Sequence, residues 1–432
     1  MNRKIITALA LLLCIITAAA AQQNSNSLSQ QTIKTLEKQG VKNMDEESKI
    51  LYAILLQNDG RVAESRKVLE ALVKSNPASA EGWFNLAMME HAAGNTEKRD
   101  EDLKKALDVN PHYAEAHAFA GKLAIAEEAW EDAEKSLKLA LNYNRSNAES
   151  LTALAWVYAN TDRLNKALTL LDEAIELEPD FAYPWVDRSR VNKALKNYKE
   201  AEEDISKAIK LEPEVAWHYL DRARVRLNCF KNYSGALSDL EMVEQLDPDN
   251  FFALVYLAGL HDEQRRYNKA LKYYTKVIKA RPDYFWAYEP LGKLYWMKGN
   301  YTKAAKWFAK VEPEEKKDFT PVLMHALALE RSGKWDKAQK ILSELARQYK
   351  KSETAYEVIR FIMERNNDFY AVNALNNETE KMLREKLWLY MGIVYEITGN
   401  KASAQSVYER LADRQGELEF DIAYAAVNGM DG

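Results

Sequence analysis

Only two cysteines, Cys14 and Cys229, occur in 432 residues, which excludes a disulfide framework as the source of stability. Histidine is nearly as sparse. His91, His112 and His117 do not share the one-turn spacing of a metal-binding helix, so no zinc site and no other metal is expected. Basic charge is not in excess: 60 Lys and Arg stand against 65 Asp and Glu, a formal net charge of -5, which leaves no broad field for nucleic acid. The chain also lacks a GxSxG nucleophile turn, a glycine-rich phosphate loop followed by Lys and Ser or Thr, and an HExxH helix. Paired acids such as Glu46-Glu47, Glu127-Glu128 and Glu202-Glu203 lie beside lysines on amphipathic segments and read as solvated faces. No assembly of catalytic groups is legible, so the chain is expected not to be an enzyme and to need no cofactor.

The first segment departs from the rest. Arg3 and Lys4 precede an apolar run from Ile5 to Ile16, and small residues from Ala18 to Ala21 precede Gln22. This predicts a secretory signal peptide over 1–21, cleaved after Ala21, with a core too short for a membrane anchor. Its removal takes both positive charges with it and moves the net charge from -5 to -7. Leu13 is bulkier than the residue that precedes a lipidated cysteine, which argues against Cys14 as an outer-membrane lipid anchor. The mature chain is then expected to be exported, periplasmic and without a transmembrane segment, with Cys229 as a half-buried thiol near a helix end.

What the chain has in quantity is a period. Glu64, Arg99, Ala133, Ala167, Ala201, Ala236, Ala270, Ala304, Ala338, Ala371 and Ala404 recur every 33 to 35 residues, with alanine at all but the first two. Such a period signals stacked helix pairs rather than a fold built around one pocket. In one unit, Trp83, Leu86, Ala87 and Met88 form an apolar stripe, Gly94-Asn95 marks a turn, Leu103, Ala106 and Leu107 line a second helix, and Pro111 ends it. The same grammar returns as Leu154, Ala155, Tyr158, Ala167, Leu171, Ala174 and Pro179, and again as Leu291, Gly292, Tyr295, Gly299, Ala304, Phe308 and Val311. Small residues at the crossings admit close backbone approach and larger ones fill the holes.

This pattern resembles the tetratricopeptide repeat (TPR) family over roughly residues 46 to 415. The resemblance implies an all-α, right-handed alpha-alpha superhelix of about 10 to 11 helix-turn-helix units. The expected order is a polar linker over 22–45, with a short helix starting at Ile33 to Leu36, and a regular array over 46–350. A degenerate repeat over 351–384 and a last unit over 385–415, carrying Trp388, Gly392, Tyr395 and Ala404, follow. Leu418 to Val427 is expected to form a capping helix, with a docking peptide as the alternative. Glu64 and Arg99 depart from the pivotal alanine, and Ala63 beside Glu64 points to a shifted opening unit. Arg188 and Arg222 stand where a core leucine belongs. A charged side chain can enter such a crossing only by snorkelling or by finding a partner.

In this family, first helices line the concave side and the second position of each unit looks into the groove. That frame places Tyr183, Trp217, Phe252 and Trp286 in one aromatic rail, with Glu115 and Glu149 at the same position in earlier repeats. Seven residues further along stand Arg190, Arg224, Gly259 and Lys293, on nearly the same helical face. Rings can bury apolar side chains while arginines fork onto carboxylates, so the groove is expected to hold an extended peptide or protein segment, acidic or ending in a free carboxylate. Asp187-Arg188 and Asp221-Arg222 repeat one phrase in adjacent units, which suggests an ion-pair ladder between repeats. Asn232, Asn300 and Asn377 open glycan-acceptor-like triplets and are read as helix-turn chemistry. The functional reading is a protein-binding scaffold of the cell envelope. The alternatives are a structural component docked through its end cap and a glycan-binding protein.

Overall fold

The computed structural model describes residues 19–312, 319–366, 368–414 and 416–430, so the expected signal peptide lies almost wholly outside the described residues. Those residues are all-α, with no strand among them, and no helix among them is long and apolar enough to cross a membrane.

The chain divides into two compact units, Met1–Glu212 and Pro213–Gly432. In the first, helix α1 (Ala19–Gln39) precedes five helical hairpins. These are α2 (Glu46–Asn58) with α3 (Val62–Ser75), α4 (Ala80–Ala92) with α5 (Thr96–Val109), α6 (Ala114–Ala126) with α7 (Trp130–Tyr143), α8 (Ala148–Asn160) with α9 (Leu164–Leu177), and α10 (Ala182–Ala194) with α11 (Tyr198–Leu211). The second unit holds six more: α12 (Ala216–Phe230) with α13 (Tyr233–Leu246), α14 (Phe251–Glu263) with α15 (Tyr267–Ala280), α16 (Tyr288–Met297) with α17 (Tyr301–Phe308), α18 (Thr320–Arg331) with α19 (Trp335–Ala346), α20 (Thr354–Glu364) with α21 (Phe369–Asn377), and α22 (Lys381–Ile397) with α23 (Lys401–Ala412). Helix α24 (Leu418–Asn428) ends it. The division at Glu212 falls inside the array expected as one regular run, where the period of the sequence continues unbroken.

The alanine ladder is the buried seam of each hairpin: Ala133, Ala167, Ala201, Ala236, Ala270, Ala304 and Ala338 have no exposed surface. Gly292 is smaller still for the same reason, because a Cβ there would lie 2.8 Å from the Phe308 ring. At the first rung the pivotal residue is Ser65, not Glu64 or Ala63. Ser65 is fully buried, and its Oγ donates to the Ala53 carbonyl at 2.7 Å across the hairpin. Arg99 does occupy its rung, and its guanidinium leaves the crossing to meet Asp100 at 2.7 Å and Glu127 at 3.8 Å. The segment expected as a polar linker contributes to the core: α1 runs through Gln39, and Ile33, Leu36 and Met44 are buried against the first hairpin. The poorest repeat still folds, as two short helices with Ala371 sealed between its neighbours.

Each hairpin turns through one residue with positive φ, at 60, 94, 128, 162, 196, 231, 265, 299, 333, 365 and 399. At Gly94 the geometry is a Schellman close: its N–H donates to the His91 carbonyl at 3.0 Å and the Asn95 N–H to the Glu90 carbonyl at 2.9 Å. Six of the eleven positions, among them Lys196 (φ 66) and Arg265 (φ 56), are not glycine and hold a left-handed conformation that an L side chain resists. Replacing Gly94 by alanine meets no atom within 4 Å, so its cost is backbone strain alone. A loss of about 1 kcal/mol in urea unfolding is expected. Between hairpins a second tie recurs. The ring of Trp83 donates to the Pro77 carbonyl at 3.0 Å, as do Trp185 to Pro179 at 3.1 Å, Tyr219 to Pro213 at 3.1 Å and Tyr288 to Pro282 at 3.0 Å.

Candidate functional site

From the first hairpin to the seventh, the second residue of each first helix is solvent-facing. In the first unit it is Glu47, Glu81, Glu115 and Glu149 in turn, then Tyr183. The 34-residue step that relates Glu149 to Glu115 reaches Glu81 and Glu47 as well. Partial loss of surrounding water, then the charges of Glu46, Glu115 and Glu47, raise the Glu81 carboxyl above the ordinary range. Tyr183 is 61% exposed, with its ring 5.6 Å from Phe181. Arg190 is bonded to Asp187 at 3.1 Å and lies 5.9 Å from the Trp156 ring.

In the second unit the rings of Trp217 and Phe252 lie 5.9 Å apart, and 49% and 41% of their surfaces remain exposed. Arg224 is steered onto Phe252: Asp221 holds it at 3.3 Å, and its guanidinium sits 5.3 Å from Phe252 and 5.9 Å from Tyr256. Phe252 is buttressed by Phe251 at 5.8 Å, whose ring is covered by Arg281 at 4.1 Å. Trp286 is 62% exposed and pairs with Phe285 at 4.8 Å. It lies in a 3-10 turn (Phe285–Ala287) before α16, because Pro290 has no N–H for the Trp286 carbonyl and the α-helix starts late.

Lys293 is not part of this open surface. It is buried, its Nζ donating to both oxygens of Asp262 at 2.9 and 3.0 Å and to Asp421 of α24 at 2.8 Å. Burial pulls its pKa down, but the two carboxylates outweigh that and hold it above its usual value. The cation expected in the groove is therefore capped by the terminal helix. That helix does more than cover the last hairpin. It packs on α23 and returns to α16 and α22, with Phe420, Ile422 and Ala423 buried and Glu419 bonded to Thr320 and Tyr390 at 2.7 Å each.

The arginines at leucine positions are satisfied differently from the expected ladder. Arg188 forks onto Asp204 of its own repeat at 3.1 and 2.6 Å and reaches Asp172 of the preceding one at 2.8 Å. Arg222 forks onto Asp239 at 3.0 and 2.7 Å, and Arg226 joins at 2.9 Å. The main bonds thus run within a repeat, while Asp187 and Asp221 hold Arg190 and Arg224. Asn232 and Asn300 cap helices by accepting the N–H of Gly235 at 3.0 Å and of Lys303 at 3.1 Å, the turn chemistry expected of them. Cys229 stands half-buried one residue before the end of α12.

Tetratricopeptide repeat models match residues 53–98, 124–186, 182–215, 257–318 and 322–352. Among curated proteins the chain is similar to anaphase-promoting complex subunit 3 of Schizosaccharomyces pombe, 24% identical over 203 residues, 47% of this chain and 30% of that protein. It is also similar to anaphase-promoting complex subunit 7 of Dictyostelium discoideum, 24% identical over 177 residues, 41% of this chain and 29% of that one. The matches thus span less than a third of the length of these relatives. Among solved structures, PilF of Pseudomonas aeruginosa aligns with a TM-score of 0.43 at 22% identity, covering 47% of this chain and 92% of that one. With repeat models together matching more than half of its residues, the chain belongs to the tetratricopeptide repeat family.

Proposed function

We propose that the protein is a non-enzymatic interaction scaffold of the cell envelope, and that its second unit holds an extended segment of a partner protein on the surface formed by Trp217, Phe252 and Arg224. The observation that carries this reading is the pairing of two large, exposed rings with an arginine held over one of them. Exposed aromatic clusters of this kind are where binding energy concentrates, and an oriented guanidinium gives preference for a carboxylate, on a side chain or at a C-terminus. Tyr183 and Arg190 offer the same pair of chemistries in the first unit. The apolar run from Ile5 to Ile16 supports export, which predicts a mature chain that begins at Gln22 by mass spectrometry. Docking through an end cap that stands free of the array is disfavoured, because α24 packs on α16, α22 and α23.

The test is affinity purification of partners with the wild-type chain and with Trp217→Ala/Phe252→Ala. Loss of about 2 kcal/mol, a weakening of roughly thirtyfold, is expected with helicity unchanged. Undiminished binding by the double variant rejects the reading.

A further inference from the structure

Helix α24 behaves like a guest on the second unit. It is joined through Gly416 at φ +93, and its polar contacts reach far back along the chain: Asp421 to Lys293 at 2.8 Å and to Arg265 at 3.6 Å. Arg265 adopts its left-handed turn conformation and then spends its side chain on this segment, with its guanidinium 3.9 Å from the Tyr424 ring and a bond to the Ala412 carbonyl at 3.2 Å. A second bond from Arg265 goes to the Arg414 carbonyl. Beside Asp421 remains a cavity of about 710 Å³, lined among others by Gly259, Asp262, Arg265 and Lys293. The fit is incomplete in one further respect: Glu419 is fully buried, yet its Oε2 has no hydrogen-bond partner. The apolar stripe of Leu418, Phe420, Ile422 and Ala423 joins the core of the second unit, while the polar face is incompletely matched, with a cavity beside Asp421 and one unpaired oxygen on Glu419.

We infer that the face formed by Asp262, Arg265, Tyr267 and Lys293 is a second binding site, for an acidic amphipathic helix of a partner, and that Leu418–Asn428 occupies it in the absence of that partner. The inference rests on reading this unit as a binding module. The chemistry required of the guest is written in the resident: two carboxylates two residues apart, Glu419 and Asp421, beside the apolar stripe of Phe420, Ile422 and Ala423, with an aromatic at Tyr424.

The probe is a fluorescent synthetic peptide of residues 417–430, added to the full chain. The wild type, whose site is filled in cis, binds it negligibly. Asp421→Lys sets a cation against Lys293 and Arg265, releases the resident helix and binds the peptide at least tenfold more tightly. Asp421→Lys/Lys293→Asp restores charge balance, closes the site again and loses the peptide. Amide exchange of 418–428 rises at least tenfold in Asp421→Lys, with α14 to α19 protected as before. Failure of Asp421→Lys to bind the peptide overturns the inference, and so does loss of protection throughout 251–412, which would make the helix an integral part of the core. A wild-type dimer that keeps 418–428 protected by exchanging it between copies would make a second copy the guest and overturn it too. Adding Trp217→Ala leaves peptide binding unchanged, so a failure here and a failure at the aromatic pair are read separately.

Discussion

Replacing Asp239 by alanine is expected to cost the second unit about 3–5 kcal/mol, among the largest losses from any single polar substitution. Asp239 is 3% exposed and accepts three bonds, two from Arg222 and one from Arg226. Removing it takes a shared, buried counter-charge from two guanidinium groups, one of them at the crossing where leucine would normally sit. Arg222→Leu should cost far less, because Asp239 keeps Arg226 at 2.9 Å while the apolar side chain fills the crossing. Converting both arginines and the aspartate to leucine should recover most of the loss, since a buried ion pair is worth little more than an apolar replacement of its volume. Urea unfolding of the three variants checks the order: Asp239→Ala lowest, Arg222→Leu intermediate, and the triple variant near wild type.

Acid should destabilise the first unit progressively between about pH 4.5 and 2, as two strongly held carboxylates give up their charge. Glu90 is 1% exposed and is met by Arg66, by Lys98 at 3.1 Å and by the Asn95 amide at 2.7 Å. These contacts, led by the Arg66 bond, hold its pKa at about 2, against an ordinary 4.5. A depressed carboxyl stabilises the fold above its unfolded pKa and gives that stability up as pH falls toward the folded value. The shift corresponds to on the order of 3 kcal/mol, present at pH 7 and withdrawn between about 4.5 and 2. Glu134, held at about 2 first by Arg163 and then by Lys138, adds a loss of the same sign. Glu90→Gln should therefore be less stable at neutral pH and show a visibly shallower decline in acid. Unfolding midpoints at pH 7, 4.5 and 2.5 would measure both.

The repeat architecture was legible because a 34-residue period constrains the same contact eleven times over. A single misread rung, Glu64 for Ser65, does not disturb it, and the step back from Arg99 would have found the serine. The turns were legible only where glycine stands. At Lys196 or Arg265 the left-handed conformation is imposed by the packing of both helices, and nothing in the local residue type announces it. The aromatic positions were readable for the same reason as the ladder, since each stands 18 or 19 residues before its rung. Lys293 was not, because its partner Asp421 lies 128 residues away and outside the period. A long-range contact made once leaves no repeated trace. The arginine pairs fell between these cases: the charge was visible at the leucine position, but Asp204 and Asp239 compete with the nearer Asp187 and Asp221, and only helix geometry decides which arginine each one holds.

Placing a photoreactive residue at Trp217 in intact cells tests the scaffold reading most directly. The account predicts a discrete crosslinked protein adduct that is strongly reduced by Arg224→Glu and absent when the same residue is placed at Lys272 on the second helix of the next hairpin. No adduct at 217, or an identical set of adducts from 217 and 272, would contradict it.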